Sequence, residues 1–476
     1  MHAVRLEPGL EIDDFVLEEK LHKGGMATLW RVRRKTAGPA TSGAAGNADA
    51  LLMKLPILGD HNDPAAIVGF EVEQMIMPKL TGIHVPRFIA SGDFTAQPYI
   101  VMELISGSSL RARFDEAPLP MDEVVAIGTK VANALHDLHR QHVIHLDIKP
   151  SNVMFRKSGE AILVDFGLSR HDMMPDLLAE EFRLPLGTGP YIAPEQVLNI
   201  RNDPRSDLYA LGVLMYHLAT GERPLGNPTS IRGLRRRLWR DPLPPRAINP
   251  KVPPWLQEVI LHCLEVHPDA RYSTAAQIAF DLQNPEQITL TARADKARRD
   301  SLGVVMRRWF KSIGMEAMPE QSAVRQLARA PIIMVAIDIE HGSEALADTL
   351  RRTTLRILQT EPDARLACVT VQKTNRIGMD EVVDRHGQNI HVKHLAGLKH
   401  WARPLGLDPA KLTFHVLEAP DPAAAIIDYA AVNAVDHIVI GSRGSSALRR
   451  YLGSVSSQVV ALADCTVTVV KSAGSA

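Results

Sequence analysis

Net charge is absent from this chain. Its 54 lysines and arginines are balanced by 54 aspartates and glutamates, with an isoelectric point near 7.4. That balance argues against a bulk nucleic-acid or membrane-surface role, and no nucleic-acid partner is expected. Cysteine is scarce as well. Cys263, Cys368 and Cys465 stand far apart and form neither a metal-ligand pair nor a redox pair, so buried thiols in a reducing cytoplasm are the expectation. No apolar run reaches the roughly 18 residues that a membrane-spanning helix requires. The opening segment MHAVRLEPGLEIDDF carries acids and a proline where an export signal needs an apolar stretch. A cytoplasmic protein without a transmembrane segment is therefore expected, and no internal repeat is visible.

With 476 residues the chain exceeds one ordinary core and has room for two or three units. Between Asp13 and Val101 short β-rich runs dominate, ALLMKLP and PYIVMEL among them, with one helical interval near residues 66–80. From 121 to about 283 helical periodicity takes over, as in EVVAIGTKVANALHDLHR, whose apolar residues recur at three and four. Residues 292–330 are basic and read as helical. Beyond them the runs IIMVAID, RLACVTV, LTFHVLE, HIVIGS and CTVTVVK alternate with helix-compatible segments, which means βαβ units around a parallel sheet.

Chemistry concentrates in the first half. Asp165-Phe166-Gly167 follows the strand-like AILV, which would hold Asp165 as a magnesium ligand, and Asn152, five residues beyond Asp147, offers an amide oxygen to a second metal ion. Asp147 would accept or orient the proton of an incoming hydroxyl, and Lys149 would neutralise charge on the moving phosphoryl group. Lys54 closes the strand LLMK. Glu73 follows 19 residues later on a helix, placed to fix the lysine ammonium on the α and β phosphates. A lysine at a strand end is ordinarily a solvated charge; this one gains weight from the ordered set around it.

Residues from about 12 to 284 resemble a bacterial Ser/Thr protein kinase domain, because HLDIKPSN, DFG, GTGPYIAPEQ and SDLYALGV occur in order at suitable intervals. The resemblance implies a bilobal α+β protein-kinase fold, ATP and Mg2+ as cofactors with Mn2+ as a substitute, and proteins with Ser or Thr acceptors as substrates. It makes Asp147 and Lys149 catalytic and Asn152 and Asp165 metal ligands. Gly24, Gly25, Leu21, Leu29, Lys54, Glu73 and Met154 are assigned to the nucleotide, with Met102 at the back of the adenine pocket and Glu103 to Ile105 as the hinge. By the same analogy Thr188 sits beside the substrate loop, Glu195 pairs with Arg271, and Asp207 braces the catalytic loop.

Two departures matter. In HKGGMATL, His22 and Ala27 stand where the family places its outer glycines and Leu29 where it places valine, so a weaker grip on the nucleotide is expected; Leu52 narrows the adenine sandwich. Leu146 replaces the arginine that commonly pairs with a phosphorylated residue of the activation segment. Residues 168–186 hold a single hydroxyl, Ser169. Both halves of the switch are missing together, which implies a kinase not gated by activation-segment phosphorylation. The alternative is a pseudokinase scaffold that binds adenine nucleotide and signals through protein contacts.

Near the C-terminus, HIVIGSRGSSALRRYLGSVSSQVV runs strand, glycine turn, helix, a form in which backbone N–H groups approach a phosphate. With the five strands, residues 329–472 resemble a universal stress protein domain, an α/β Rossmann-like unit with a five-stranded parallel sheet. The resemblance implies an adenine nucleotide at a second site, held by Asp338, Gly441, Gly444, Gly453 and Ser454. Only eight residues separate Gly444 from Gly453, one short of the family spacing, and an unliganded sheet-packing turn is the competing reading. A homodimer through the last strand, TVTVVK, is expected. The chain thus divides into an N-terminal extension (1–11), a kinase domain (12–288), a basic helical linker (289–328), the stress-protein domain (329–472) and a tail (473–476). Within the linker, Leu302, Val305, Met306, Trp309 and Ile313 share one helical face that is expected to pack on a neighbouring domain. The basic run RGLRRRLWR, 232–240, is expected to be a solvated face.

Overall fold

A computed structural model describes residues 6–35, 50–58, 64–182, 184–312, 331–374, 389–442 and 454–471. Its first layer is an antiparallel sheet of six strands in the order Glu11–Ile12, Phe15–Lys23, Ala27–Arg34, Leu51–Pro56, Tyr99–Glu103, Phe88–Gly92. Alternation builds it: in Ala27–Arg34 the side chains of Trp30 and Val32 are buried while Arg31 between them is exposed. Trp30 packs with Leu17, Met53, Leu55, Tyr99 and Val101, and Leu6 and Leu10, upstream of the first strand, join the same cluster. One helix, Pro64–Ile76, crosses this lobe. It opens on a proline, whose missing N–H costs nothing at a helix start.

The larger lobe is helical. Met121–Arg140 carries Asp122 and Glu123 in its first turn and His139 and Arg140 in its last, both favourable to the helix dipole. Its apolar face, with Val124, Val131 and Leu135, is buried against Arg205–Thr220 and Ala275–Gln283. A buried fork locks the lobe: Arg271 Nη1 and Nη2 each donate to Glu195 at 2.7 Å. In the basic run at 232–240, Arg237 turns inward instead of facing solvent and donates to the Pro190 carbonyl at 3.3 Å.

The linker is less helical than the sequence implies. Among the described residues it is helical over Leu302–Ser312, whereas residues 289–301 lie along the larger lobe. Arg293 pairs there with Glu258 and Glu265, Lys296 pairs with Asp241, and Gln257 Nε2 lies within donating distance of the carbonyls of Arg293, Ala294 and Lys296. With charges and carbonyls already satisfied on the lobe, no helix is needed. The expected apolar packing is not found: Leu302, Met306 and Trp309 remain exposed. Ile313 lies outside the described residues.

The last domain is a parallel sheet in the order Leu412–Ala419, Arg365–Lys373, Ile332–Ala336, His437–Ser442, Thr466–Lys471. Residues 332–336 are buried on both faces, as parallel strands covered by helices must be. One face shares a continuous apolar cluster with the larger lobe. The contact is also polar. Glu180, on the short helix Leu177–Glu181, accepts from Arg365 Nη2 at 2.8 Å and from Tyr429 Oη at 3.1 Å, and lies 3.0 Å from His415 Nε2. Glu181 beside it approaches His391 and His415.

Burial alone would lower the His415 pKa, but Glu180 and Glu181 lift it to about 9. Burial alone would raise Glu180, yet His415 and Arg365 hold it at about 2. Burial dominates at Glu181 and raises its carboxyl. His415 binds its proton more tightly folded than unfolded, so its contribution to stability is complete below the ordinary 6.5 and is lost as the pH rises through about 9. Glu180 contributes fully above the ordinary 4.5 and loses that contribution as the pH falls toward 2. Thermal unfolding measured from pH 6 to 9 is therefore expected to show a falling midpoint in the native chain and a flatter profile in His415→Gln; parallel profiles would refute this assignment.

Candidate active site

Between the two lobes three segments converge on one ammonium. Lys54 Nζ donates to Glu73 Oε2 at 2.6 Å and to Asp165 Oδ1 at 2.8 Å. Glu73 arrives from the Pro64–Ile76 helix almost wholly enclosed, whereas 43% of the Asp165 side chain stays exposed toward the cleft. Burial opposes the charge on Lys54, but Asp165 and Glu73 push its pKa well above the usual lysine value. Lys54 in turn holds Asp165 down to about 2, while burial raises Glu73 against the pull of the same ammonium. Asp165 also sits at φ 70°, a left-handed conformation that aspartate tolerates better than most side chains.

Asp147 anchors the second cluster. Its Oδ2 accepts from Lys149 Nζ at 2.6 Å and from Asn152 Nδ2 at 3.2 Å, and its Oδ1 accepts from Thr188 Oγ1 at 2.7 Å. The loop beneath is held by Asp207, whose two oxygens take the N–H groups of His145 and Leu146 at 2.8 Å each. Gln196 Nε2 donates to the Leu146 carbonyl at 3.0 Å. Leu146 itself is buried at φ 61°. Ser169 is buried too, its hydroxyl donating to the His145 carbonyl at 3.1 Å. The position that would receive a phosphate and the one hydroxyl that would carry it are both sealed in the interior.

Asp165 and Asn152 are hard oxygen donors, the type a magnesium-sized cation takes when it keeps water or phosphate for its remaining positions. Among the described residues no cluster of three or more His, Cys, Asp or Glu side chains forms a ready-made metal cage. These two residues therefore fit a cation that arrives with phosphate. On the small-sheet side, Gly24 and Gly25 form a turn between strands, closed by Gly24 N–H to the Ala27 carbonyl at 2.9 Å. A Cβ on Gly25 would meet nothing within 4 Å, so the turn leaves open space. Leu29 pairs in register with Lys54, and Leu52 with Met102. Glu103 gives its carboxylate to Arg156 and its N–H to the Arg87 carbonyl at 2.9 Å, which fixes the strand leading to Ile105. Leu21 lies on the strand before the glycine turn and Met154 is half-buried on Val153–Arg156.

Comparison with known proteins fits this geometry. Residues 63–281 match the protein kinase domain family and residues 331–471 the universal stress protein family. The chain joins a protein kinase domain to a universal stress protein domain. It is 29% identical over 334 residues to the serine/threonine-protein kinase PknL of Mycobacterium bovis, covering 68% of this chain and 80% of that one. It is 31% identical over 268 residues to the serine/threonine-protein kinase PkaA of Streptomyces coelicolor, covering 54% and 48%, and 34% identical over 186 residues to PknB of Mycolicibacterium smegmatis, covering 39% and 30%. The protein kinase family uses ATP with a divalent cation and acts on protein substrates. No helix among the described residues is long and apolar enough to cross a membrane.

In the stress-protein domain a cavity of about 600 Å3 is lined by Asp338, Gly441 and Ser454, among others. Gly444 and Gly453 lie outside the described residues. Within the kinase domain, Gly69 is a close-packing position beside the site that the sequence motifs do not include. It packs on the turn after Asp165: a Cβ added to Gly69 would come within 2.9 Å of the Gly167 carbonyl oxygen. A glycine inside a helical pattern is the one sequence signal that pointed to such an approach. Gly69→Ala is expected to push that turn away from Lys54 and lower kcat about 10- to 100-fold, measured by γ-phosphate transfer; an unchanged rate would show that the turn tolerates the methyl.

Proposed function

We propose that the chain is a serine/threonine protein kinase that transfers the γ-phosphate of MgATP to Ser or Thr hydroxyls of proteins. The shared Lys54 ammonium carries this reading. It holds the helix glutamate and the metal-binding aspartate in one arrangement, as phosphoryl transfer requires. Asp147 orients the acceptor hydroxyl, and its contact with Thr188 Oγ1 supports that role. Lys149, whose Nζ lies 2.6 Å from the same carboxylate, neutralises charge on the moving phosphoryl group. Lys54, fixed by Glu73, grips the phosphate chain, and Gly24 and Gly25 admit it. Leu21, Leu29, Met102, Glu103, Ile105 and Met154 receive the adenine side. Mg2+, held by Asp165 and Asn152, supplies charge neutralisation at the phosphates. Mn2+, which takes the same oxygen donors in an octahedron, would serve as a substitute. The pseudokinase alternative gains no support from a cleft with these groups paired, and a cytoplasmic setting agrees with the three free thiols.

The test uses labelled MgATP with a basic substrate protein. Asp147→Asn is expected to lower phosphate incorporation about 10²- to 10⁴-fold with ATP still bound; equal incorporation would remove Asp147 from its role, and none in the native chain would favour the scaffold reading.

For the second domain we assign an adenine nucleotide to the Asp338 cavity and a homodimer to the half-exposed edge strand Thr466–Lys471. ATP titration is expected to give two sites per chain and one in Asp338→Ala, and sedimentation is expected to show a dimer that Val467→Lys splits. A single site in the native chain, or a native monomer, would remove the corresponding assignment.

A further inference from the structure

Glu180 and Glu181 belong to the activation segment, the stretch between Asp165 and Glu195, yet their partners belong to the other domain. Arg365 opens the strand Arg365–Lys373, and its guanidinium donates to both Glu180 oxygens, Nη2 at 2.8 Å and Nη1 at 3.2 Å. Tyr429 Oη and His415 complete the set. On the kinase side the same short helix is capped by Asp176, which accepts from Ala179 N–H and is gripped by the buried Arg201 at 2.9 Å. A second contact reaches the Pro64–Ile76 helix: Lys399 Nζ lies 2.6 Å from Glu71 Oε1. Residues two apart on a helix point to different sides, so Glu71 is turned to Lys399 while Glu73 is turned to Lys54.

The activation segment therefore does meet cations, but they come from another domain and pair with a carboxylate. We propose that Arg365, His415 and Tyr429 are positioning residues for phosphoryl transfer: by holding Glu180 they keep the activation segment ordered without phosphorylation, so the stress-protein domain is a built-in activator. This rests on the kinase reading above. A planar guanidinium bidentate on a carboxylate is the same donor set that recognises a phosphate, and a glutamate supplies the charge permanently. The sign is activating because the clamped state contains the Lys54–Glu73 pair and the Thr188–Asp147 contact together. The absence of an arginine at Leu146 has a physical counterpart here, since the segment is held from its outer side.

The experiment compares the full-length native chain with Arg365→Gln, Arg365→Lys and Tyr429→Phe. Two readouts are taken on each: kcat and KM for ATP in transfer to a basic substrate protein, and hydrogen exchange of residues 176–182. The expected result for Arg365→Gln is a kcat lowered about tenfold or more, a KM for ATP within about twofold, and faster exchange of the segment. Arg365→Lys should recover part of both. Tyr429→Phe, which removes one hydroxyl and keeps the ring, should shift both in the same direction by less and guards against a folding defect in the arginine variants. An unchanged kcat in Arg365→Gln overturns the proposal, and a raised kcat reverses its sign and overturns it equally. If the native chain transfers no phosphate, the kinase reading fails and the activating role fails with it; unchanged exchange in the variants would then sink the ordering contact as well, whereas faster exchange would uphold that contact alone.

Discussion

The Lys54 ammonium is the constraint around which the cleft is arranged. It is shared by Glu73 and Asp165, groups brought by a helix and by a turn 111 residues further along the chain. Such a triad is a poor way to gain stability, because removing charges from water costs several kcal/mol per ion before their attraction returns anything. Its value is positional. With Lys54 in place, the small sheet, the Pro64–Ile76 helix and the Asp165 turn are tied to one another, and Gly69 packs closely on Gly167 in that arrangement. Asp147, Lys149 and Thr188 form a second rigid unit on the larger lobe, braced from below by Asp207.

The stress-protein domain touches two elements that frame this cleft. Glu180 ties it to the activation segment and Glu71 to the helix that carries Glu73. The strand that opens at Arg365 and the helix that carries Lys399 also contribute walls to the cavity containing Asp338, through Val369 and Val371 on the strand and His394 and Trp401 on the helix. The polar contacts lie within an apolar cluster that continues from the larger lobe into the sheet. Dispersion and burial supply adhesion between the domains, while Arg365, His415 and Lys399 supply register.

Motifs were legible where the chemistry is local in sequence. HLDIKPSN places its residues within one loop, so spacing alone brought Asp147, Lys149 and Asn152 beside one another, whereas Asp165 of DFG meets Lys54 only through the fold. Five apolar runs with helical intervals sufficed for the parallel sheet, because a strand buried on both faces must be apolar throughout. The linker misled for the opposite reason. Its helical look is a property of isolated periodicity, whereas residues 289–301 satisfy their charges and carbonyls on Glu258, Glu265, Asp241 and Gln257. Nor does a run of arginines reveal that Arg237 would turn inward.

Two absences could be read from the sequence: no arginine at position 146, and no threonine or second serine in residues 168–186. Those are statements about residue identity, and they are the ground for expecting a kinase that is not gated by phosphorylation of the segment. What holds the segment instead could not be read, since Glu180 and Arg365 are 185 residues apart and each alone is an ordinary solvated charge. Tertiary structure decided it by bringing both, largely shielded from water, into one interface, where a charge without its counter-ion is costly. Local patterns fix the chemistry of each loop; only the packed chain determines which distant charges meet.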